Sequence, residues 1–202
     1  MPAPFEIIAA PFVAYHAPLG TAFPVVNAAP AAAWIKIGTS GDESYDPEGV
    51  SVQHSQDVNL VRPLGSTAPI KAFRREEDLI IAFTLWDVSA EFYSLALNSN
   101  PITTVAAGEG TPGTKAFQLY RGEQVATMAL LLRADVSPYG DGMNMQYEVP
   151  YCAMIGNPEA VYRKGDPAGL ALEFAALKDP NAATKAESFG RLIMQHQLPL
   201  AP

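Results

Sequence analysis

The chain has 202 residues, a formal charge of −8 and an isoelectric point near 4.8. That length buries a real core and suits one large β domain, or one domain with long arms. The acidity excludes the basic footprint by which a classical nucleic-acid binder neutralises phosphates. With 18 Pro and 15 Gly, the composition speaks for many turns and against a helical protein. One cysteine, Cys152, excludes an intramolecular disulfide and a cysteine-based zinc site; it lies in an apolar run and reads as a buried, inert thiol. MPAPFEIIAAP has no basic stretch followed by a long apolar one, so no signal peptide is expected, and no run nears the roughly 18 apolar residues of a membrane span.

Residues 1–33 are Ala- and Pro-rich, and Pro18, Gly20, Pro24 and Pro30 favour an extended arm, with a short strand near Phe12–Tyr15. Trp34–Gly38 (WIKIG) is a compact strand with Ile35 and Ile37 expected on one face, followed by a polar turn over 39–49. Val50–Leu60 alternates cleanly, Val50, Val52, His54, Gln56, Val58 and Leu60 facing one way. The polar middle of that face (His54, Gln56) predicts that the segment leaves the core there. Pro63, Gly65 and Pro69 mark a loop, so 50–86 reads as a long hairpin with a projecting polar loop over about 53–72.

A charged knot (Arg74, Arg75, Glu76, Glu77, Asp78) leads into the apolar run Leu79–Trp86, the length of a buried strand. The period then changes to that of a helix over about 88–98, with Ser89 as N-cap, Glu91 in the first turn, and Asn98, Ser99, Asn100 and Pro101 as the stop. Ile102–Ala106 and Lys115–Tyr120 are strand candidates around the flexible turn GEGTPG (108–113). Val125–Arg133 and Met143–Met154 read as an antiparallel pair joined at PYGDG, with Pro150 placed where no ladder donor is needed. Leu170–Leu177 is the last strand. Residues 183–202 read as a C-terminal arm, in which Thr184–Gln195 forms either a weak helix or a segment that orders on a neighbour.

No catalytic set can be assembled. His16, His54 and His196 lie far apart with no carboxylate at ligand spacing. No GxSxG frames a serine, and GEGTPG lacks the Lys-Ser/Thr of a phosphate loop. The acidic groups Glu43/Asp46 and Glu76/Glu77/Asp78 are better read as solvated faces or inter-subunit ion pairs than as an acid–base pair. Trp34 and Trp86 are core or interface anchors. No cofactor and no metal is expected, and the chain does not read as an enzyme.

The succession of features resembles the tail tube (major tail) proteins of long-tailed, non-contractile bacteriophages. APFVAYHAPLGTAFP leads to AAAWIKIGTSG, then YDPEGVSV, the long hairpin, IKAFRREEDLIIAFTLWDVSAEFYSLALN, and late EVPYCAMIGNPEAVYRKGDPAGLALEFAALKDPNA. The likeness spans roughly 5–182, so a tail tube β domain is expected over 1–182, with the 183–202 arm outside it. The resemblance implies a mainly β fold, a β-sandwich or partly open β-barrel with one short flanking helix and extended loops and arms. It implies hexameric rings stacked into a tube that double-stranded DNA crosses transiently. The implied partners are other copies of the chain, a tape-measure protein, a tail terminator and distal tail or baseplate proteins, with no membrane. The implied location is the virion tail, preceded by the host cytoplasm. On this reading Arg74, Arg75, Glu76, Glu77 and Asp78 are inter-subunit or channel-facing, and His54, Asp57, Arg62 and Lys71 belong to an inter-ring loop. Asp or Glu lining the channel would keep DNA from sticking. The alternatives are the tube of a phage-derived particle (a tailocin, gene-transfer agent or secretion-system tube) and a monomeric β-sandwich that binds carbohydrate.

Overall fold

The computed structural model describes residues 6–198. In chain order the elements are β1 (Val13–Ala17), β2 (Ile35–Lys36), β3 (Ser51–Val61), β4 (Lys71–Leu85) and α1 (Ala90–Ala96). Then follow β5 (Thr103–Val105), β6 (Thr114–Ala116), β7 (Thr127–Ala134), β8 (Met145–Met154), β9 (Leu170–Ala176) and β10 (Arg191–Met194). Eight strands form one sheet in the order β2-β1-β7-β8-β9-β4-β3, with β10 added to β8; β5 and β6 pair separately. Every pairing is antiparallel. The fold is thus mainly β with one short helix, as expected, and the sheet does not close into a barrel.

β7 lies mid-sheet and is apolar on both faces, which a strand tolerates only when both faces are covered. On the front face Leu130 and Leu132 join Ala14, Val149, Leu172, Phe174, Phe83 and Ile81 in the main core, onto which Leu95 and Ala96 of α1 pack. On the back face Ala129 and Leu131 join Ala17 and Trp34, with Tyr15 and Phe23 packed against them. Each fully buried Leu, Ile or Phe stabilises the fold by about 1.5–3 kcal/mol. The helix begins where its cap predicts: the Ser89 hydroxyl accepts the Phe92 N–H at 3.5 Å. It ends in Asn98 and Ser99, both at positive φ (76° and 57°).

Tyr45 rolls the sheet. Its backbone bridges Leu85 of β4, its ring lies 4.9 Å from that of Phe83, and its hydroxyl reaches the far side of the sheet. There it accepts the Ala14 N–H at 3.0 Å and donates to the Ile37 carbonyl at 2.7 Å. Burial pushes the Tyr45 phenol above the ordinary tyrosine range, so it stays a donor. Gly38 permits the turn that delivers it: φ is +87°, and a Cβ would stand 3.0 Å from the Gly41 carbonyl oxygen.

Several expectations need correction. Ile35 and Ile37 do not share a face environment: Ile35 is exposed and Ile37 is fully buried, because β2 is only two residues long and the chain turns at Gly38. The Pro-rich stretch is not free. Its carbonyls at Val26 and Ala28 accept from the Arg133 guanidinium, and those at Val26 and Pro24 accept from Asn144 (3.1 Å) and Gln146 (2.8 Å). Residues 184–195 form no α-helix. After a single 3₁₀ turn (Lys185–Glu187) the chain becomes β10, running along β8 in line with β9. Gly190, at φ +99°, lies so close to β8 that a Cβ would fall 1.8 Å from the Glu148 carbonyl oxygen. Pro150 sits between the β9 and β10 stretches, at a break in the β7–β8 register, where a missing N–H costs no ladder bond. The remainder of the proposed 183–202 arm, 199–202, lies outside the described residues, as do 1–5 of the N-terminal arm.

Replacing Tyr45 by Phe removes the partner of two buried backbone groups while keeping the ring. The expected cost is about 1–3 kcal/mol in a urea unfolding curve; a variant as stable as the parent would show that the phenol does not hold the roll.

Candidate functional site

β4 has two halves. From Leu79 to Leu85 every second side chain is buried, and Ile80–Leu85 pair with β9. From Lys71 to Asp78 every residue is exposed, and β3 is the sole pairing partner. The nine residues Lys71–Leu79 span about 30 Å at roughly 3.4 Å each. With β3 they form a two-stranded ribbon standing off the body. Among the described residues β3 ends the sheet order, so its outer edge is unpaired, and β4 carries a second unpaired edge along the ribbon.

The expected loop over 53–72 is therefore mostly strand. Only 62–70 joins β3 to β4, closed by the Ile70 N–H on the Val61 carbonyl at 2.9 Å. His54 and Asp57 belong to β3, Lys71 opens β4, and of the four expected loop residues Arg62 alone lies in the loop. The alternation over Val50–Leu60 located β3, and the strand runs on past His54 and Gln56 because a ribbon with two solvated faces needs no apolar face.

The knot 74–78 forms a charged waist on this ribbon. Arg74 pairs with Glu77 at 2.9 Å and donates to the Gln56 amide oxygen at 3.0 Å. Arg75 is the extra residue of a bulge, opposite the step from Asp57 to Val58, and pairs with Asp57 at 3.5 Å. Asp78 accepts from the Ser55 hydroxyl at 3.5 Å, and Glu76 stands across from Asp57. These side chains are half or more exposed, so each pair is worth about 1 kcal/mol at most. These pairs neutralise Glu77 and Asp57.

Beyond the waist the ribbon turns apolar, a feature missed in the sequence. Val58, Leu60, Val61 and Phe73 are 37–48% exposed, Ile70 is 70% exposed, and Leu64 stands entirely in solvent. The Lys71 ammonium lies 4.7 Å from the centre of the Phe73 ring. The signal was present as six large apolar residues in sixteen, disguised by Pro63, Gly65 and Pro69.

The back of the sheet holds a buried polar cluster. Gln146 and Glu148 alternate with core residues of β8 but are themselves buried. The Gln146 amide donates to Glu148 at 2.6 Å, and Arg191 of β10 donates to the other Glu148 oxygen at 2.7 Å. This cluster fastens β10 and the 18–34 segment, while the buried Gln146 amide oxygen has no hydrogen-bond partner among the described residues. A cleft of about 520 Å³ lies beside Arg133, Asp42, Asp135 and Tyr15, and the Arg133 guanidinium is turned to backbone carbonyls. Among the described residues no three His, Cys, Asp or Glu groups gather as metal ligands. His54 is exposed on the ribbon, His196 stacks on Tyr139 at 5.2 Å, and burial lowers the pKa of His16.

Trp34 is buried, with its indole N–H on the Ala22 carbonyl at 3.0 Å; Trp86 is 38% exposed. Cys152 is buried, donates to the Met128 carbonyl at 3.3 Å, and has its thiol pKa pushed up to about 12 by burial.

No family model and no curated protein matches the chain. Among solved structures it is similar to a chain of the anti-feeding prophage baseplate, determined by cryo-electron microscopy with six-fold symmetry. The two share 8% identity at a TM-score of 0.48, over 98% of this chain and 100% of that one, a likeness too slight to carry an argument about function.

Because the thiolate is the reactive form, Cys152 should resist a thiol reagent at pH 8 in the folded protein and react fully in urea. Rapid native labelling would contradict its burial.

Proposed function

We propose that this chain is a structural subunit of a phage tail tube, assembled as stacked six-membered rings that conduct double-stranded DNA. The observation that carries this reading is the ribbon 51–61/71–79 with both outer edges unpaired. A long open edge is a hazard in a monomer, since its N–H and C=O groups invite another strand. Pairing with neighbouring copies in a closed ring satisfies those groups and leaves no free end. The succession of sequence features noted above supplies the kind of assembly, and the acidic chain suits a conduit through which phosphate slides without binding. The residues of the waist then sit at contacts or toward the channel. The tape-measure protein, a tail terminator and distal tail proteins are the partners this reading requires. A tube of a phage-derived particle would use the same geometry; capsid and terminase genes beside this one favour the phage.

The register supplies a clean test. His54 and Leu79 already face each other across β3 and β4. Replacing 55–78 by Asn-Gly, a two-residue hairpin turn, removes the ribbon without touching a buried residue. The shortened chain should unfold within about 1 kcal/mol of the parent and stay monomeric in sedimentation under conditions where the parent forms tubes. Tubes built by the shortened chain would sink the reading.

A further inference from the structure

Gln146 is fully buried on the back face of β8, and its two amide atoms fare differently. The nitrogen donates twice, to the Pro24 carbonyl at 2.8 Å and to a Glu148 oxygen at 2.6 Å. The oxygen is the one buried side-chain atom among the described residues that has no hydrogen-bond partner. A buried acceptor left dry carries its full desolvation penalty. Native interiors therefore supply a donor to nearly every such atom.

Turning the amide over does not repair this. The oxygen would then face the Pro24 carbonyl and the Glu148 carboxylate, two acceptors with no proton to give. The other Glu148 oxygen accepts from Arg191 at 2.7 Å, so the carboxylate is an acceptor at both ends. The neighbours on the sheet decide what kind of donor fits. Arg133 is the cross-strand partner of Gln146 on β7 and is itself buried. Two of its five N–H groups go to the Val26 and Ala28 carbonyls. A guanidinium one strand away repels a metal or ammonium ion. Complete burial of the amide leaves no opening for a larger molecule. A small neutral ligand that both donates and accepts meets this chemistry, and water is that ligand.

We propose that a single internal water sits on Gln146, donating to its amide oxygen and to the Pro24 carbonyl and accepting from an Arg133 N–H. Among the described residues the Pro24 carbonyl accepts from Gln146 alone, so its second lone pair is open. Three contacts of this kind are what a buried water ordinarily makes. The water closes a seam that side chains have already begun. The 18–34 segment is too rich in Pro to join the sheet as a strand, and its carbonyls at Pro24, Val26 and Ala28 are met instead by Gln146, Asn144 and Arg133. The water gives Gln146 the donor that the seam lacks, and it joins β7, β8 and the Pro-rich segment at one point.

The test begins with the unaltered chain. In a high-resolution crystal structure, every copy should show a solvent peak within hydrogen-bond reach of the Gln146 amide oxygen, Arg133 and Pro24. In solution, the Gln146 side-chain amide protons should give a nuclear Overhauser cross-peak to water with the sign of a long-lived contact. A dry oxygen, a protein donor in the same place, or amide protons without the water cross-peak would overturn the proposal. Gln146→Met keeps the length of the side chain and removes its acceptor. Water relaxation dispersion of the folded variant should report the loss of a single long-lived water relative to the parent, and an unchanged count would contradict the site. Should the variant fail to fold, the parent crystal structure and cross-peak still decide. The tube reading stands or falls separately, on its own test.

Discussion

β4 changes environment once, at Leu79, and much of the molecule follows from that change. On the C-terminal side it is a core strand, flanked by β9 and covered by the helix that it leads into. On the other side it has one partner, two solvated faces and an open edge. A strand cannot continue its core pairing past Leu79 because β9 turns away after Ala176, and β10, which takes over that track along β8, does not pair with β4. The bulge at Arg75 adds local twist at the same place. The ribbon is therefore built by the topology of the sheet rather than by a flexible insertion.

The body must be rigid for such a ribbon to be useful, and two devices supply that. Tyr45 ties one end of the sheet to the other through a buried hydroxyl and a bridge to Leu85. On the back face Arg133, Asn144 and Gln146 take hold of backbone carbonyls in a segment too rich in Pro to join the sheet as a regular strand. Glu148 is buried and meets Arg191, so β10 closes over a carboxylate that would otherwise lack a cationic partner. Glu148 is buried and Arg191 is largely exposed, and four register pairs with β8 make β10 part of the body and not a loose end.

Much of this was legible in the residues. The switch from period two to a helical period at Val88, the Ser89 cap and the Asn98–Pro101 stop located α1 to within two residues at each end. The apolar runs located β7, β8 and β9, and the polar middle of β3 foretold its departure from the core. What could not be read depended on partners distant in sequence. β10 is four unremarkable residues until Glu148 and Gly190 are seen against each other. Gln146 and Glu148 look like a solvated face until the 18–34 segment covers them. The ribbon tip reads as a plain loop because Pro63, Gly65 and Pro69 punctuate it, and Lys115–Tyr120 reads as a strand although only Thr114–Ala116 forms one. Pro and Gly report where a chain bends, and are silent on whether exposed apolar residues between the bends are held in place.

The central claim is that the ribbon and the body of this chain exist to meet other copies. Negative-stain electron microscopy of the purified full-length protein across a range of concentrations tests it most directly. Six-fold rings or long tubes are the predicted result. Monodisperse monomers at every concentration, under conditions where the protein is folded, would contradict it.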